Sequence, residues 1–423
     1  MVKIITDIAR RYFTGKESQF EFKRSNQVVY SKIDKINLYI HIPFCNHLCP
    51  YCPYNKVKYE LQKVPAYLKA LLNEIEMYHS LFGNIQISSV YIGGGTPTLL
   101  MDELGVIFEH LNMKFRIAGD LCIEVNPCDI KDKLIGDLKK YKINLVSVGV
   151  QSFLDKNLKF IGRKCEASTL KSALKKLVEA KFKSVNIDLM FALPGQTIKD
   201  LNYDLQTAVD CGIDQITTYP LFTFPYSTIG KYLKLKKVRM PKLSVRHNQY
   251  YHIHNYLSDN GFSRVSVWGF KKGITPRYSS VTRDNYIGIG AGAGSHLSNG
   301  FYLNTFSVEE YVKKCLSMQF PTTLYMHFTQ NMQNYFWLYW RFYDTCIPKG
   351  ELYKKFDKND KKIKRLISIA KSFNLLFDNN DHYELTMQGA FWIHLIQNYF
   401  SLRYIDKVWR IAMKEAYPQK IVL

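Results

Sequence analysis

The sequence contains no run of about 18 apolar residues, the length that a membrane-spanning helix needs. Its first residues, 1–11, are interrupted by charges and include no small-residue cleavage site, so they do not read as a secretory signal. A fixed-period repeat and a low-complexity linker are also missing. These absences argue against a membrane-spanning protein and against a repeat array.

Acidic residues are few: 36 Asp and Glu stand against 58 Lys and Arg, which gives a formal net charge of +22. Two interpretations stay open. The charge favours an anionic partner such as nucleic acid, a membrane surface or a polycarboxylate, or it follows from a composition rich in Lys, Ile, Asn and Tyr throughout. Because the lysines form no basic stripe with interleaved aromatics, we expect no nucleic-acid partner.

Spaced cysteine pairs that would build a disulfide framework are absent too. Three of the nine cysteines crowd together as Cys45, Cys49 and Cys52. The other six are scattered singly, at Cys122, Cys128, Cys165, Cys211, Cys315 and Cys346. One cluster with scattered single cysteines predicts a metal site in a reducing compartment, and we expect a cytoplasmic protein.

What the sequence does have is 47% hydrophobic residues, enough for a large core. From about residue 36, β-rich runs alternate with amphipathic helical patterns, which predicts right-handed βαβ units and a parallel sheet. Six repeats are fewer than an eight-unit barrel needs, so we predict an α/β fold with a partial (β/α)6 barrel. The candidate strands are Ile36–His41, Ser89–Ile92, Leu121–Val125, Leu145–Val150, Val185–Met190 and Gln215–Tyr219.

The pattern changes after about residue 225, where a glycine-dense segment follows at Tyr286–Gly294. From about residue 320 the sequence is helical and aromatic, with a predicted hairpin around residues 378–381. This indicates a small, mainly helical, winged-helix-like C-terminal domain. The predicted units are an N-terminal extension at 1–35, the barrel at 36–225, a barrel-flanking mixed segment at 226–320 and the C-terminal domain at 321–423.

The cysteine cluster lies directly after the first predicted strand, in Tyr39-Ile-His-Ile-Pro-Phe-Cys45-Asn-His-Leu-Cys49-Pro-Tyr-Cys52. Active sites of parallel βα folds collect at that edge of the sheet. Three thiolates in one tight loop suit a four-iron cluster and leave one iron open to an external ligand. A zinc site completed by His41 or His47 is the alternative, although the sequence has no second Cys/His block.

Further motifs, in order along roughly residues 36–300, make the sequence resemble the radical S-adenosylmethionine (SAM) superfamily. More specifically, it resembles the oxygen-independent coproporphyrinogen III oxidase family, including its haem-utilisation and haem-chaperone relatives. The motifs that carry the resemblance are 39–52, Gly93-Gly94-Gly95-Thr96-Pro97-Thr98, Glu124-Val125-Asn126-Pro127, Gly149-Val150-Gln151-Ser152-Phe153, Gly162-Arg163, Asp188-Leu189 and Leu193-Pro194-Gly195-Gln196-Thr197.

The resemblance implies a [4Fe–4S] cluster on Cys45, Cys49 and Cys52, with one or possibly two SAM molecules. It further implies that a flavodoxin- or ferredoxin-like reductase supplies one electron, and that a 5′-deoxyadenosyl radical abstracts a hydrogen from a tetrapyrrole. No catalytic side chain is assigned. The implied cofactor-binding residues are Tyr39, Tyr51, Gly94, Gly95, Thr96, Glu124, Gln151, Arg163, Asp188, Phe222 and Gly294.

Within this set, Glu124 ends an apolar strand and is expected to hold a polar group of SAM, while Tyr51 would stack near its adenine. Gln151, Arg163 and Asp188 lie at or just past strand ends, where the family surrounds a second SAM. For Arg163 the alternative is a surface ion pair, and for Phe222 it is core packing.

The sequence also departs from the family. The oxidases carry Gly-Cys after the third cysteine, and this chain has Pro53-Tyr54. The haem chaperones carry His-Asn-x-x-Tyr-Trp where this chain has residues 282–287, Thr-Arg-Asp-Asn-Tyr-Ile.

A stretch at residues 385–392, Leu-Thr-Met-Gln-Gly-Ala-Phe-Trp, resembles the anaerobic haem-degrading branch instead. Four alternatives therefore stay open: coproporphyrinogen oxidation, haem degradation, a radical SAM methyltransferase, and a non-catalytic haem chaperone. Haem ligation by His47, His296 or another histidine would favour the last.

Overall fold

The computed structural model describes residues 4, 7, 20–28, 33–224, 226–235, 237–277, 285–297 and 299–423. Its first nine strands are β1 (Glu21–Arg24), β2 (Lys35–Ile42), β3 (Phe44–Cys45), β4 (Val57–Lys58), β5 (Gln86–Gly94), β6 (Arg116–Val125), β7 (Leu145–Gln151), β8 (Ser184–Phe191) and β9 (Gln215–Pro220). Six of these pair in parallel in the order β2-β5-β6-β7-β8-β9. The predicted α/β class and the six predicted barrel strands are confirmed.

Strands β7 and β8, in the middle of the parallel row, are rich in β-branched residues and buried on both faces, as parallel strands between helices are. In β7, Val146, Val148 and Val150 are fully buried. The helices that connect the barrel strands are Val64–Phe82, Met101–Lys114, Asp132–Lys140, Asp155–Phe160, Ala167–Glu179 and Ile198–Asp210. The last begins at Thr197, whose hydroxyl accepts from the Asp200 N–H while the Asp200 carboxylate accepts from the Thr197 N–H.

The sheet continues beyond both ends of the barrel strands. The later strands are β10 (Phe262–Arg264), β11 (Gly269–Lys272), β12 (Tyr286–Ile289), β13 (Gly294–Leu297), β14 (Gly300–Asn304), β15 (Thr322–His327), β16 (Cys346–Pro348), β17 (Leu376–Asp378), β18 (His382–Leu385) and β19 (Lys420–Val422). Antiparallel β11 and β10 extend the sheet from β9, while β12 pairs in parallel with β2. Beyond β12 the order is β13-β14-β15-β1-β19.

The C-terminal region has a small core of its own, built around Trp337, Ile347, Leu352 and Ile363. The predicted hairpin is confirmed, since β17 and β18 pair antiparallel and β16 joins them in a three-stranded sheet. The helices after the barrel are Thr228–Leu235, Leu243–Asp259, Val308–Leu316, Gln330–Tyr343, Lys349–Lys355, Lys361–Ser372, Met387–Phe400 and Asp406–Ala412, with a π-helical turn at Ser401–Ile405.

The predicted domain boundaries stay predictions, but the sheet shows that the chain ends are shared. Strand β1 from the predicted N-terminal extension lies between β15 and β19. The extension and the C-terminal region therefore belong to one sheet. Among the described residues, no helix is both long enough and apolar enough to cross a bilayer.

A buried carboxylate fixes the glycine-dense segment against the barrel. Glu74 accepts hydrogen bonds from the Gly290 N–H (2.9 Å), the Asn304 side-chain amide (2.8 Å) and the Tyr311 hydroxyl (2.6 Å). Burial raises the pKa of Glu74 to about 7. Because Gly294 follows within this segment, the network sets where that backbone meets the barrel mouth.

Candidate active site

A cavity of about 600 Å³ opens at the C-terminal ends of the barrel strands. The cysteine loop, the glycine motif and the strand ends form one side, and residues from the C-terminal helices contribute to its wall. Every predicted site residue lines it: Tyr39, Cys45, Cys49, Tyr51, Cys52, Gly94, Gly95, Thr96, Glu124, Gln151, Arg163, Asp188, Phe222 and Gly294. The structure thus brings the whole predicted set together, while the role of each residue stays a prediction.

The cysteine loop is closed at its base, because β3 pairs with β4 through Phe44–Val57 and Cys45–Lys58. Within the loop the Cys52 N–H donates to the Cys49 carbonyl at 3.3 Å. Donors from other elements reach two of the sulfurs at 3.7 Å, the Thr96 hydroxyl at Cys45 and the Arg163 guanidinium at Cys49. Three thiols on one loop, with hydrogen-bond donors beside them, are a donor set that fits an iron–sulfur cluster.

The two histidines of the zinc alternative are engaged elsewhere. His41 Nε2 lies 2.9 Å from the Asn55 carbonyl and its Nδ1 lies 2.8 Å from the Tyr39 hydroxyl. Since a carbonyl only accepts, Nε2 carries the proton and Nδ1 accepts from Tyr39. His47 Nε2 likewise donates to the Gly162 carbonyl at 2.9 Å. In the described part of the chain, no three Cys, His, Asp or Glu side chains converge as a metal-binding group, so the ligand assignment rests on the motif.

Glu124, at the end of β6, is held by donors from the neighbouring strand. The Gly94 N–H donates to its Oε2 at 3.1 Å, and the Tyr91 hydroxyl donates to its Oε1. Gly94 has a φ of +113°, and a Cβ there would approach the His41 ring to 2.6 Å. The glycine is therefore needed both for its backbone conformation and for its closeness to β2.

The polar residues at the next strand ends face the same cavity. Gln151 has a φ of +74°, which is uncommon for a non-glycine residue, and its side-chain oxygen accepts from the Tyr219 hydroxyl at 2.8 Å. Asp188 accepts from the Asn186 amide at 3.2 Å. Burial, together with the nearby charge of Glu124, raises the pKa of Asp188 to about 7.

The side chains of Arg163 and Phe222 both make contacts with other residues that line the cavity. Arg163 donates to the Gly149 carbonyl as well as to Cys49, so the surface ion-pair alternative is not what the structure shows. The Phe222 ring lies 5.4 Å from that of Trp268, in an edge-to-face arrangement. Tyr51 is 8% exposed and packs in a cluster with Ile161 and Leu193.

The structure also places in the cavity wall residues that the sequence did not indicate. Cys128 and Cys165, which lie singly in the sequence, both line it and form a disulfide that the sequence analysis did not predict. The cause is tertiary: Cys128 lies in the turn after β6 and Cys165 lies two residues after Arg163. Other unanticipated wall residues are Trp268, Arg277, Tyr343, Ser401, Ile405 and Trp409.

Of the histidines considered as haem ligands, His47 lines the cavity and His296 does not. His296 is buried against the rings of Tyr286, Phe328 and Phe336. Of the chaperone signature region, 282–287, residues 282–284 lie outside the described residues, and Tyr286 and Ile287 begin β12.

Comparison with known proteins shows the family of this chain. Residues 39–208 match the family model described as the radical SAM superfamily. The chain is 30% identical over 290 residues to the heme chaperone HemW of Bacillus subtilis (strain 168), covering 67% of this chain and 76% of that protein. The chain belongs to the radical SAM superfamily, within the family that includes HemW and oxygen-independent coproporphyrinogen III oxidase.

Two further relatives of this radical SAM protein bear on its fold and length. The crystal structure of coproporphyrinogen III oxidase (HemN) from Escherichia coli matches with a TM-score of 0.76 at 19% identity, covering 89% of this chain and 94% of that one. The anaerobilin synthase of Escherichia coli O157:H7 is 26% identical over 365 residues, covering 84% of this chain and 81% of that protein. As a radical SAM protein, the chain has a [4Fe–4S] cluster and SAM as its cofactors.

Proposed function

We propose that this chain is a radical SAM enzyme that acts on a tetrapyrrole. The observation that carries the proposal is the composition of the cavity, which joins the cysteine loop and the SAM-side polar residues to a wall of aromatic rings. Tyr343 and Trp409 bring aromatic surface from the C-terminal region to that wall. Flat aromatic walls suit a planar, apolar macrocycle, since ligand pockets are mostly apolar with a few placed polar groups.

In this proposal Cys45, Cys49 and Cys52 hold the cluster. When bound, the cluster and SAM supply a 5′-deoxyadenosyl radical, with an electron from a flavodoxin- or ferredoxin-like donor. The protein supplies orientation and a shielded cavity. Glu124, fixed by Gly94 and Tyr91, offers a carboxylate to a polar group of SAM, and its geometry is set before SAM binds.

Gln151, Arg163 and Asp188 form the polar surface beside this position. Arg163 is pinned by the Gly149 carbonyl and by Cys49, and Gln151 by Tyr219. These contacts hold the side chains along the strand ends, where a second SAM or a polar edge of the substrate would meet them. The number of SAM molecules is read out by the stoichiometry of binding to the reconstituted protein.

The substrate side differs from the oxidase pattern in one visible way. Where the oxidases carry Gly-Cys, the Pro53 carbonyl accepts from the Tyr226 hydroxyl at 2.8 Å, and Tyr54 lines the cavity with half of its surface exposed. An aromatic ring thus replaces a small thiol at the substrate side. We therefore propose hydrogen abstraction from a tetrapyrrole as the reaction class, with coproporphyrinogen III and haem as the first substrates to test.

A second candidate, a haem chaperone without turnover, is favoured by the 30% identity to HemW. The deciding experiment is anaerobic reconstitution with iron and sulfide, then incubation with SAM, reductant and either coproporphyrinogen III or haem. Mass spectrometry measures 5′-deoxyadenosine and tetrapyrrole products. The enzyme proposal expects 5′-deoxyadenosine to rise with tetrapyrrole and a changed tetrapyrrole to accumulate. Stable haem binding without either product would replace it with the chaperone.

Two cysteine variants test the cluster assignment in the same experiment, one at a proposed ligand and one as a control. Cys49→Ala should lose iron and all 5′-deoxyadenosine. Cys211→Ala removes a buried cysteine outside the cavity and should keep both. Normal iron content in Cys49→Ala would refute the cluster assignment.

A further inference from the structure

Arg277 reaches the cavity from the segment that follows β11 and is half-buried there. Its Nη2 donates to Asp344 Oδ1 at 2.7 Å. The other carboxylate oxygen, Asp344 Oδ2, lies 3.0 Å from Arg341 Nη2. Two guanidinium groups therefore share one carboxylate at the end of the helix Gln330–Tyr343.

Two described guanidinium groups, those of Arg277 and Arg341, meet at the Asp344 carboxylate, and no second described acidic side chain forms an ion pair with either of them. The Asp344 side chain is only 10% exposed, so solvent screens the cluster little. A guanidinium has five N–H donors in a fixed fork, and one donor of Arg277 is committed to Asp344. The remainder can serve an anion in the cavity.

The surface beside Arg277 is aromatic and held in place. Tyr343, adjacent to Asp344, lies with its ring 6.0 Å from that of Trp268. The Trp268 indole Nε1 lies 2.7 Å from His394 Nδ1, so the indole packs edge-on against that buried ring. Both rings line the cavity. A cation thus stands at the edge of an oriented aromatic surface.

In the strand order of the sheet, this cation and the cysteine loop lie at opposite ends of the parallel row. Arg277 follows β11, which pairs with β9, whereas the cysteines follow β2 at the other end of the parallel row. Both ends of the row contribute to the same cavity. A ligand held at Arg277 would extend across the cavity toward the cofactor side.

We propose that Arg277 anchors a carboxylate subsite that binds one acidic side chain of a tetrapyrrole whose macrocycle lies against Trp268 and Tyr343. This inference rests on the proposed function and names the recognition element of the same site. An Arg–carboxylate pair in such a setting is charge-assisted and directional. The carboxylate of SAM offers the same chemistry, so the test has to separate the two sources.

The probes are coproporphyrin III, which carries four carboxylates, and its tetramethyl ester, which carries none. Fluorescence titration of the reconstituted protein gives the two dissociation constants, and equilibrium dialysis gives that of SAM. For Arg277→Gln we expect coproporphyrin III to bind about 10- to 100-fold more weakly, with the ester and SAM unchanged. Arg239→Gln, an exposed arginine outside the cavity, is the charge-matched control and should change none of them.

Asp344→Asn provides a second variant that does not depend on removing Arg277. It takes away the shared counter-charge and should tighten coproporphyrin III binding without affecting the ester. Wild-type affinity for coproporphyrin III in Arg277→Gln, or an equal loss for acid and ester, would overturn the subsite. A loss confined to SAM would reassign Arg277 to the cofactor. Failure of the wild-type protein to bind either porphyrin would instead refute the tetrapyrrole proposal, and the subsite with it.

Discussion

Gly94 donates its backbone N–H to Oε2 of Glu124 at 3.1 Å, across two neighbouring strands of the barrel. This donor and the Tyr91 hydroxyl fix both carboxylate oxygens of Glu124, so under the proposed function the carboxylate is oriented before SAM binds. A glutamine at this position would lose the negative charge. Its side-chain NH2 group would also face either the Gly94 N–H or the Tyr91 hydroxyl, so a donor would meet a donor.

Glu124→Gln should therefore weaken SAM binding by about tenfold or more, as expected when a charge-assisted hydrogen bond is lost. Equilibrium dialysis on reconstituted protein measures the dissociation constant, and iron content should stay at the wild-type level. Glu109→Gln, on an exposed helix face, is the control. Unchanged SAM affinity in Glu124→Gln would remove this residue from the cofactor site.

The glycine motif yields a second prediction, about stability. Gly94→Ala has to adopt a left-handed backbone and also overlaps the His41 ring, whereas Gly195→Ala faces only the left-handed strain, since a Cβ there meets nothing within 4 Å. Urea unfolding of the cluster-free protein should show a loss of about 1–2 kcal/mol for Gly195→Ala. Gly94→Ala should lose about 1–3 kcal/mol more. Equal losses would show that the approach of Gly94 to β2 has no energetic consequence.

The barrel and most of the site could be predicted because both depend on short sequence patterns: runs of β-branched residues and polar residues at the ends of these runs. Buried parallel strands such as β7 are runs of β-branched residues, and the carboxyl ends of such strands share one edge, so Cys45, Glu124, Gln151 and Asp188 had to meet there. The part of the cavity wall that is contributed by residues after the barrel could not be predicted in this way. Arg277 and Trp409 reach the cavity through contacts that depend on how the C-terminal region packs.

The same reasoning explains the strands that were missed. Strand β1 is four residues long and β19 is three, and neither is stable alone. Strand β1 forms by pairing with both β15 and β19, and β19 forms by pairing with β1. The predicted N-terminal extension therefore contains part of the sheet. Pairing over such a separation leaves no periodic signal in either segment.

A third prediction concerns pH. Asp204 is fully buried, accepting from the Phe153 N–H at 2.6 Å and from the Ser152 hydroxyl. Burial raises its pKa from 3.8 to about 7. Below about pH 4 both folded and unfolded states hold the proton, so there is no effect. Between about pH 4 and 7 the unfolded state ionises first, so stability falls as pH rises, and above pH 7 the loss is complete.

Asp204→Asn should remove this part of the pH dependence, which amounts to at most roughly 4 kcal/mol. Glu74 and Asp188, whose pKa values are also raised to about 7, act in the same direction, so the variant keeps part of the fall. Urea unfolding of cluster-free protein at pH 5 and pH 7.5 measures the difference. Asp132→Asn, at an exposed carboxylate, should follow the wild type. An identical pH slope in Asp204→Asn would contradict the assignment.

The last prediction addresses the Cys128–Cys165 disulfide, which links the turn after Glu124 to the segment that carries Arg163. The bond closes a loop with a sequence separation of 37 residues, and closing a loop of that size stabilises a fold by about 3–4 kcal/mol through the unfolded state. Oxidised, cluster-free protein should lose about that much in urea unfolding when Cys128 and Cys165 are both replaced by Ser. The single variant Cys128→Ser should lose as much stability as the double variant, because one serine already opens the loop.

Cys346→Ser, at a free cysteine outside the cavity, is the control and should change the stability little. Two results together would show that the two thiols are unlinked in solution: a double variant as stable as the wild type, and labelling of Cys128 and Cys165 when the wild-type protein is alkylated without reductant.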